Sequence, residues 1–300
     1  MNTKKKKLLI SILSLIITSL IIFFILIVSG SINILPEKKE PVPEPTEVVV
    51  EPDKEAEKLK QYKADWQANK KINPDYIGDI LFDSGLLRVS FVQAKSVYKE
   101  DGTMYSFYTE NGSLVSNPEG YTGNDVYIWT YWKTGAYDYN DNGGSTFMDY
   151  RNELSDQNIV IYGHHFSVWT DETRSKAFTP LEKLLEEENY SANKNVTLIL
   201  GDEIRKYEVA AVYNFDATDD YYYDNMQYWR TSYNYDDYTD TIDNEYYSKY
   251  LQAVREHQLY NTGVKLDTSD KTLTLQTCIS GHTGELFEII VLKQVSVEPY

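Results

Sequence analysis

The chain has one cysteine in 300 residues, Cys278, and it closes the segment "KTLTLQTC". With no second cysteine, an internal disulfide is ruled out. The sulfur is a reactive thiol, a linker to another molecule, or a small buried hydrophobe. As a nucleophile it would act through its thiolate, which needs a base or a cation close by. Four histidines are available. His164 and His165 follow Gly163 at the end of the apolar run "NIVIYGHH". His282 lies in the glycine-containing segment just after the cysteine, and His257 falls in a helical pattern as a surface residue. A thiol and an imidazole, each at a strand end where the backbone is held and the side chain can face a cleft, would suit a cysteine nucleophile with its base.

The elements that must hold these groups are mostly strands. Leu273 and Leu275 alternate with Thr272, Thr274 and Gln276, the period of a half-buried strand, and "ISGHTGE" after Cys278 reads as a loop. Further short apolar or alternating stretches are "LLRVSFVQ", "DVYIWTYW", "NIVIYGHH", "NVTLILG", "KYEVAAVYNF" and "LFEIIVLKQV". Such a series predicts a sandwich or barrel, mainly β with a few helices. Helices are predicted at "EKLKQYKADWQANKK", where Leu59, Tyr62 and Trp66 share a face, and at "TPLEKLLEEENY", with Thr179 as N-cap and Pro180 in the first turn. Another is predicted at "NEYYSKYLQAVREHQ", where Tyr247, Tyr250, Leu251 and Val254 align. Residues 213–250 are rich in Tyr and Asp, but no D-x-D-x-D-G loop is present, so the segment reads as a solvated connection and not as a calcium site. No metal or cofactor is expected.

Charge and patterning at the N-terminus indicate a compartment. Residues 1–7 form a basic tail with Lys4 to Lys7, and 8–28 form an uncharged apolar run. A run of about 20 apolar residues matches the thickness of a bilayer, and lysines on its N-terminal side predict that end to be cytoplasmic. The rival reading, a cleaved signal peptide, calls for a shorter core and an Ala-x-Ala-like site, which "IVSGSIN" does not provide. The expectation is a single-pass protein of the cell membrane whose catalytic domain is extracellular. Residues 29–58, rich in Pro and Glu, read as a stalk, and 59–300 as one domain. The formal net charge of −17 argues against nucleic acid or anionic lipid as a partner.

"TLQTC" resembles the TLxTC signature of sortases, the cysteine transpeptidases of Gram-positive bacteria, and "NIVIYGHH" resembles their histidine strand. "INPDYIGDI" and "STFMDYRN" are similar to class B sortases in particular, and chain order, His before Cys, separates the sequence from papain-like hydrolases. The resemblance covers about residues 60–297. It implies a closed barrel of about eight strands, with an N-terminal helix and a helical insertion before the cysteine strand. It also implies a reaction. Cys278 attacks the threonine carbonyl of a C-terminal sorting signal, and His164 protonates the leaving amine. An amine from a peptidoglycan precursor or a pilin then resolves the acyl-enzyme. His165 is the other candidate for the imidazole. Gln276 and Thr277 are expected to hold substrate. One departure is visible: no arginine follows Cys278, and Phe287 or Glu288 falls where the family carries one. A carboxylate there would oppose an anionic transition state and raise the cysteine pKa. Arg151, Arg174, Arg205 or Arg230 could supply the charge instead, or backbone N–H groups could bear the load. The alternative implied by this departure is a degenerate sortase-fold protein that binds sorting signals with little turnover.

Overall fold

A 19-residue helix, α1 (Lys54–Ile72), opens the described part of the protein and ends where Asn73–Pro74 breaks it. The structure is a computed structural model that describes residues 54–138, 141, 143–166, 176–216, 244–279 and 286–300. Lysine-rich α1 carries too much charge to enter a membrane, and among the described residues no helix is long and apolar enough to cross one. This overturns the expectation of a single-pass membrane protein with an extracellular catalytic domain. The run 8–28 on which it rested, with the basic tail and most of the stalk, lies outside the described residues.

Eight strands close into one barrel: β1 (Tyr76–Phe82), β2 (Arg88–Val92), β3 (Thr146–Met148), β4 (Asn158–Tyr162), β5 (Asn195–Ile199), β6 (Glu203–Asp216), β7 (Thr272–Cys278) and β8 (Leu286–Pro299). Their order around the barrel is β1-β2-β3-β4-β7-β8-β6-β5, and antiparallel pairing of β1 with β5 closes it. Closure leaves the barrel without a free sheet edge. The expected fold class is shown, including the N-terminal helix and a helix between β6 and β7.

Alternation assigns the two faces of the wall. Leu273, Leu275, Ile290 and Leu292 fill the barrel interior with Ile80, Phe82, Ile161 and Val212. Ile289 and Val291 face outward and are covered by α4 (Asn244–His257), whose Tyr247, Tyr250, Leu251 and Val254 are all buried. Each such side chain contributes roughly 1.5–3 kcal/mol through burial. The tyrosines keep polar partners there: the Tyr247 hydroxyl donates to the Asp270 carbonyl (2.8 Å), and the Tyr250 hydroxyl meets Thr274 Oγ1 (2.8 Å).

Two expected elements differ. "DVYIWTYW" is helical, as α2 (Gly123–Trp129). The Asp125 carboxylate accepts from the Thr122 N–H (2.6 Å) and hydroxyl (2.9 Å), a local cap that outweighs the β-preference of the aromatic residues. "TPLEKLLEEENY" is two short 3-10 helices, Thr179–Leu185 and Glu187–Asn189, followed by a single α turn, α3 (Tyr190–Asn193). Thr179 is not the cap: its hydroxyl accepts the Phe166 N–H (2.9 Å) and ties this segment to the histidine loop.

Candidate active site

The parallel pairing of β4 with β7 decides where the candidate groups meet. The register runs from Asn158 opposite Thr272 to Tyr162 opposite Gln276, and the Gly163 N–H extends it by donating to the Gln276 carbonyl (3.1 Å). Two residues beyond that last pair stand His164 on one strand and Cys278 on the other. Because the strands are parallel, both groups leave the sheet at the same rim. Both line one cleft of about 280 Å³, together with Gln276, Thr277, Tyr162 and Phe287.

Two glycines shape the histidine. A Cβ on Gly163 would come within 2.4 Å of the Phe178 ring, so this strand end must be glycine for Phe178 to pack beneath it. Gly143, at φ +68°, lies against His164, and a Cβ there would fall 2.6 Å from the His164 Cβ. The Phe166 ring meets the His164 ring edge-on at 4.8 Å between centroids. His165 turns away from the cleft. It is buried, and its Nε2 lies 3.3 Å from the Glu182 carboxylate.

Burial dominates the titration of this pair. It lowers the His164 pKa to about 4, with His165 adding to the effect, and it pushes the Cys278 thiol up. Near neutrality the resting groups are therefore thiol and neutral imidazole. The thiolate–imidazolium form is a minor species that substrate must draw out.

The β7–β8 register settles the geometry of the two positions in question. Phe287 stands opposite Cys278 and lines the cleft, whereas Glu288 stands opposite Thr277. Alternation turns Thr277 and Glu288 inward. Glu288 is 1 % exposed, and among the described residues neither of its carboxylate oxygens nor Thr277 Oγ1 has a hydrogen-bond partner. Burial, and then Glu182, push the Glu288 pKa up to about 8, so it is protonated at neutral pH. The raised thiol pKa is caused by burial, without a contribution from Glu288. Gln276 faces the cleft on the same side of β7 as Cys278, with its Oε1 buried and without a hydrogen-bond partner among the described residues.

The cleft is also lined by Arg151, one of the arginines expected as a source of charge, and by Asp149, Tyr162 and Asn124, which sequence reasoning passed over. Asp149, fully buried, accepts from Arg151 Nε (2.8 Å), Arg151 Nη2 (2.8 Å), the Arg151 backbone N–H (3.0 Å), the Tyr162 hydroxyl (2.9 Å) and Asn124 Nδ2 (3.3 Å). Burial alone would raise its pKa, but the hydrogen bonds and charge of Arg151 outweigh that and hold it low. The signal was the acid–arginine spacing in "MDYRN". Arg151 lines the cleft. Arg205 is bound instead to Glu203 and the Leu154 carbonyl. Arg174, Arg230 and His282 lie outside the described residues, as does 217–243 of the Tyr- and Asp-rich segment. Among the described residues no group of three His, Cys, Asp or Glu could hold a metal ion.

Comparison with known proteins points in one direction. No family model matches the chain. It is 31 % identical to sortase B of Listeria monocytogenes over 137 residues, which is 45 % of this chain and 47 % of that protein. It is 26 % identical to sortase B of Staphylococcus aureus over 156 residues, 51 % of this chain and 54 % of the relative. The chain thus spans about half the length of the curated relatives it matches. The crystal structure of Clostridium perfringens sortase B aligns with a TM-score of 0.55 at 24 % identity, covering 77 % of this chain and 99 % of that one. The barrel is the fold of the sortase B structures.

Proposed function

We propose that this protein is a class B-like sortase, a cysteine transpeptidase that cleaves a C-terminal sorting signal after threonine and transfers the new terminus to an amine. The observation that carries the reading is the placement of Cys278 and His164 at the shared rim of parallel β4 and β7, lining one cleft. The similarity to sortase B supports it.

The chemistry follows from those two groups. His164 takes the thiol proton, and the Cys278 sulfur adds to the threonine carbonyl carbon. The tetrahedral centre collapses as its C–N bond breaks, and the leaving amine takes the proton from His164. A thioester remains, with the acyl energy of the cleaved peptide bond conserved. An incoming amine, from a peptidoglycan precursor or a pilin lysine, adds to the thioester carbonyl, loses a proton to His164 and expels the sulfur, which is reprotonated. No nucleotide is consumed. Gln276, facing the cleft beside the nucleophile, offers its carboxamide to the substrate backbone, and Thr277 contributes to the cleft wall.

The test is direct. The full-length protein is incubated with a panel of peptides that carry threonine before the scissile bond, and a thioester on Cys278 is sought by mass spectrometry. The adduct should vanish in Cys278→Ala and fall strongly in His164→Ala, while His165→Ala retains it. An adduct that survives His164→Ala and is lost in His165→Ala would overturn the assignment, and absence of any adduct on wild type would overturn the function.

A further inference from the structure

Attack of a sulfur anion on a carbonyl places negative charge on the carbonyl oxygen, and a site that performs the reaction needs a donor aimed at that oxygen. Among the described residues that line the cleft, one carries a permanent positive charge, Arg151. The residue directly across from Cys278 is Phe287, which offers no donor, and Glu288 beside it points into the barrel. We propose that Arg151, which lines the same cleft as Cys278, binds the substrate carbonyl oxygen and the oxyanion formed from it. This rests on the thioester reading above and adds to it the source of the stabilising charge.

The surroundings of Arg151 fit such a task. An ion pair this deeply placed is a poor stabilising device, because desolvation of both partners offsets their attraction. Asp149 instead holds the guanidinium rigid through its two side-chain contacts, and Tyr162 and Asn124 hold Asp149 in turn. Tyr162 belongs to the same strand as His164, so the support of the arginine and the position of the imidazole share one element. A planar guanidinium fixed in this way costs no reorganisation when charge develops. Asp149, His164 and the aromatic rings of Tyr162 and Phe287 complete the surroundings.

The experiment compares two reactions of the same sulfur. One is acylation by the best peptide from the panel, which passes through an oxyanion. The other is alkylation by iodoacetamide, a displacement at carbon that forms none. Arg151→Gln in the full-length protein should slow acylation by about 100-fold, the usual loss for one oxyanion donor, and change alkylation less than about 3-fold, the latter expected because the thiol itself is untouched. Phe287→Arg added to Arg151→Gln should restore much of the acylation by placing a guanidinium opposite Cys278. Equal acylation by Arg151→Gln and wild type would overturn the inference and leave the transpeptidase reading standing. An equal fall in both reactions would also overturn it, by marking Arg151 as structural. If wild type forms no thioester while iodoacetamide still labels Cys278, the transpeptidase reading itself fails and this inference with it.

Discussion

Glu288→Gln tests the interior of the barrel with a number attached. Glu288 is 1 % exposed and has no hydrogen-bond partner on either oxygen among the described residues, and burial followed by the nearby Glu182 pushes its pKa up from 4.5 to about 8. The folded state therefore binds this proton more tightly than the unfolded chain does. The stabilisation is fully present below about pH 4.5, declines as pH rises, and is gone above about pH 8. At about 1.36 kcal/mol per tenfold change in proton affinity, the whole interval amounts to about 5 kcal/mol, and the part lost by pH 7 to about 3 kcal/mol. Glutamine has nearly the same shape and does not ionise. The expected outcome is that Glu288→Gln and wild type have similar unfolding free energies near pH 4.5, and that the variant becomes the more stable by several kcal/mol at pH 9. Urea titrations of the full-length chain at pH 4.5, 7 and 9 measure this. Parallel stability curves for the two proteins would refute the reasoning, since they would mean that Glu288 is solvated or paired.

The remaining predictions concern the cleft and its supports. With the His164 pKa lowered to about 4 and the thiol raised, acylation rate against pH should be flat through neutrality, falling on the acid side near pH 4 and on the alkaline side above the ordinary thiol range. An acid limb near 6.5 in stopped-flow data would show a solvated histidine. Gly143→Ala should reduce acylation by at least about 10-fold, because a Cβ at φ +68° would displace His164. Circular dichroism should show the fold unchanged. Tyr250→Phe should cost about 1 kcal/mol in thermal unfolding, the worth of one hydrogen bond, since Thr274 keeps its bond to Asn158 Oδ1 (2.9 Å).

How much of this was legible beforehand depends on the range of the forces involved. The period-2 pattern of "TLTLQTC" and the helical face of Tyr247, Tyr250, Leu251 and Val254 were readable, because burial imposes a periodicity on neighbouring residues. The helix at Gly123–Trp129 was not, since Val126, Tyr127, Ile128 and Trp129 favour a strand and a single Asp125 cap decided otherwise. The orientation of Phe287 and Glu288 was out of reach for a different reason. One step of register exchanges the two faces of a strand, and register is fixed by pairing with β7, which no local pattern contains. The Asp149–Arg151 pair sat in plain view in "MDYRN", but its proximity to Cys278 is purely tertiary.

The parallel pairing of β4 with β7 also has a bearing on synthesis. β7 lies between β4 and β8 in the closed wall, and β8 follows β7 in the chain. A nascent polypeptide that has delivered its imidazole strand to the ribosome exit still lacks the strand that bears the sulfur and the one that joins it to β6. The β4–β7 contacts join segments far apart in the chain and cannot form before β7 is made, and closing such a long connection is slow. The nucleophile and its partner therefore meet only after translation has passed β7, so that products cut short before that strand carry a histidine with nothing to activate.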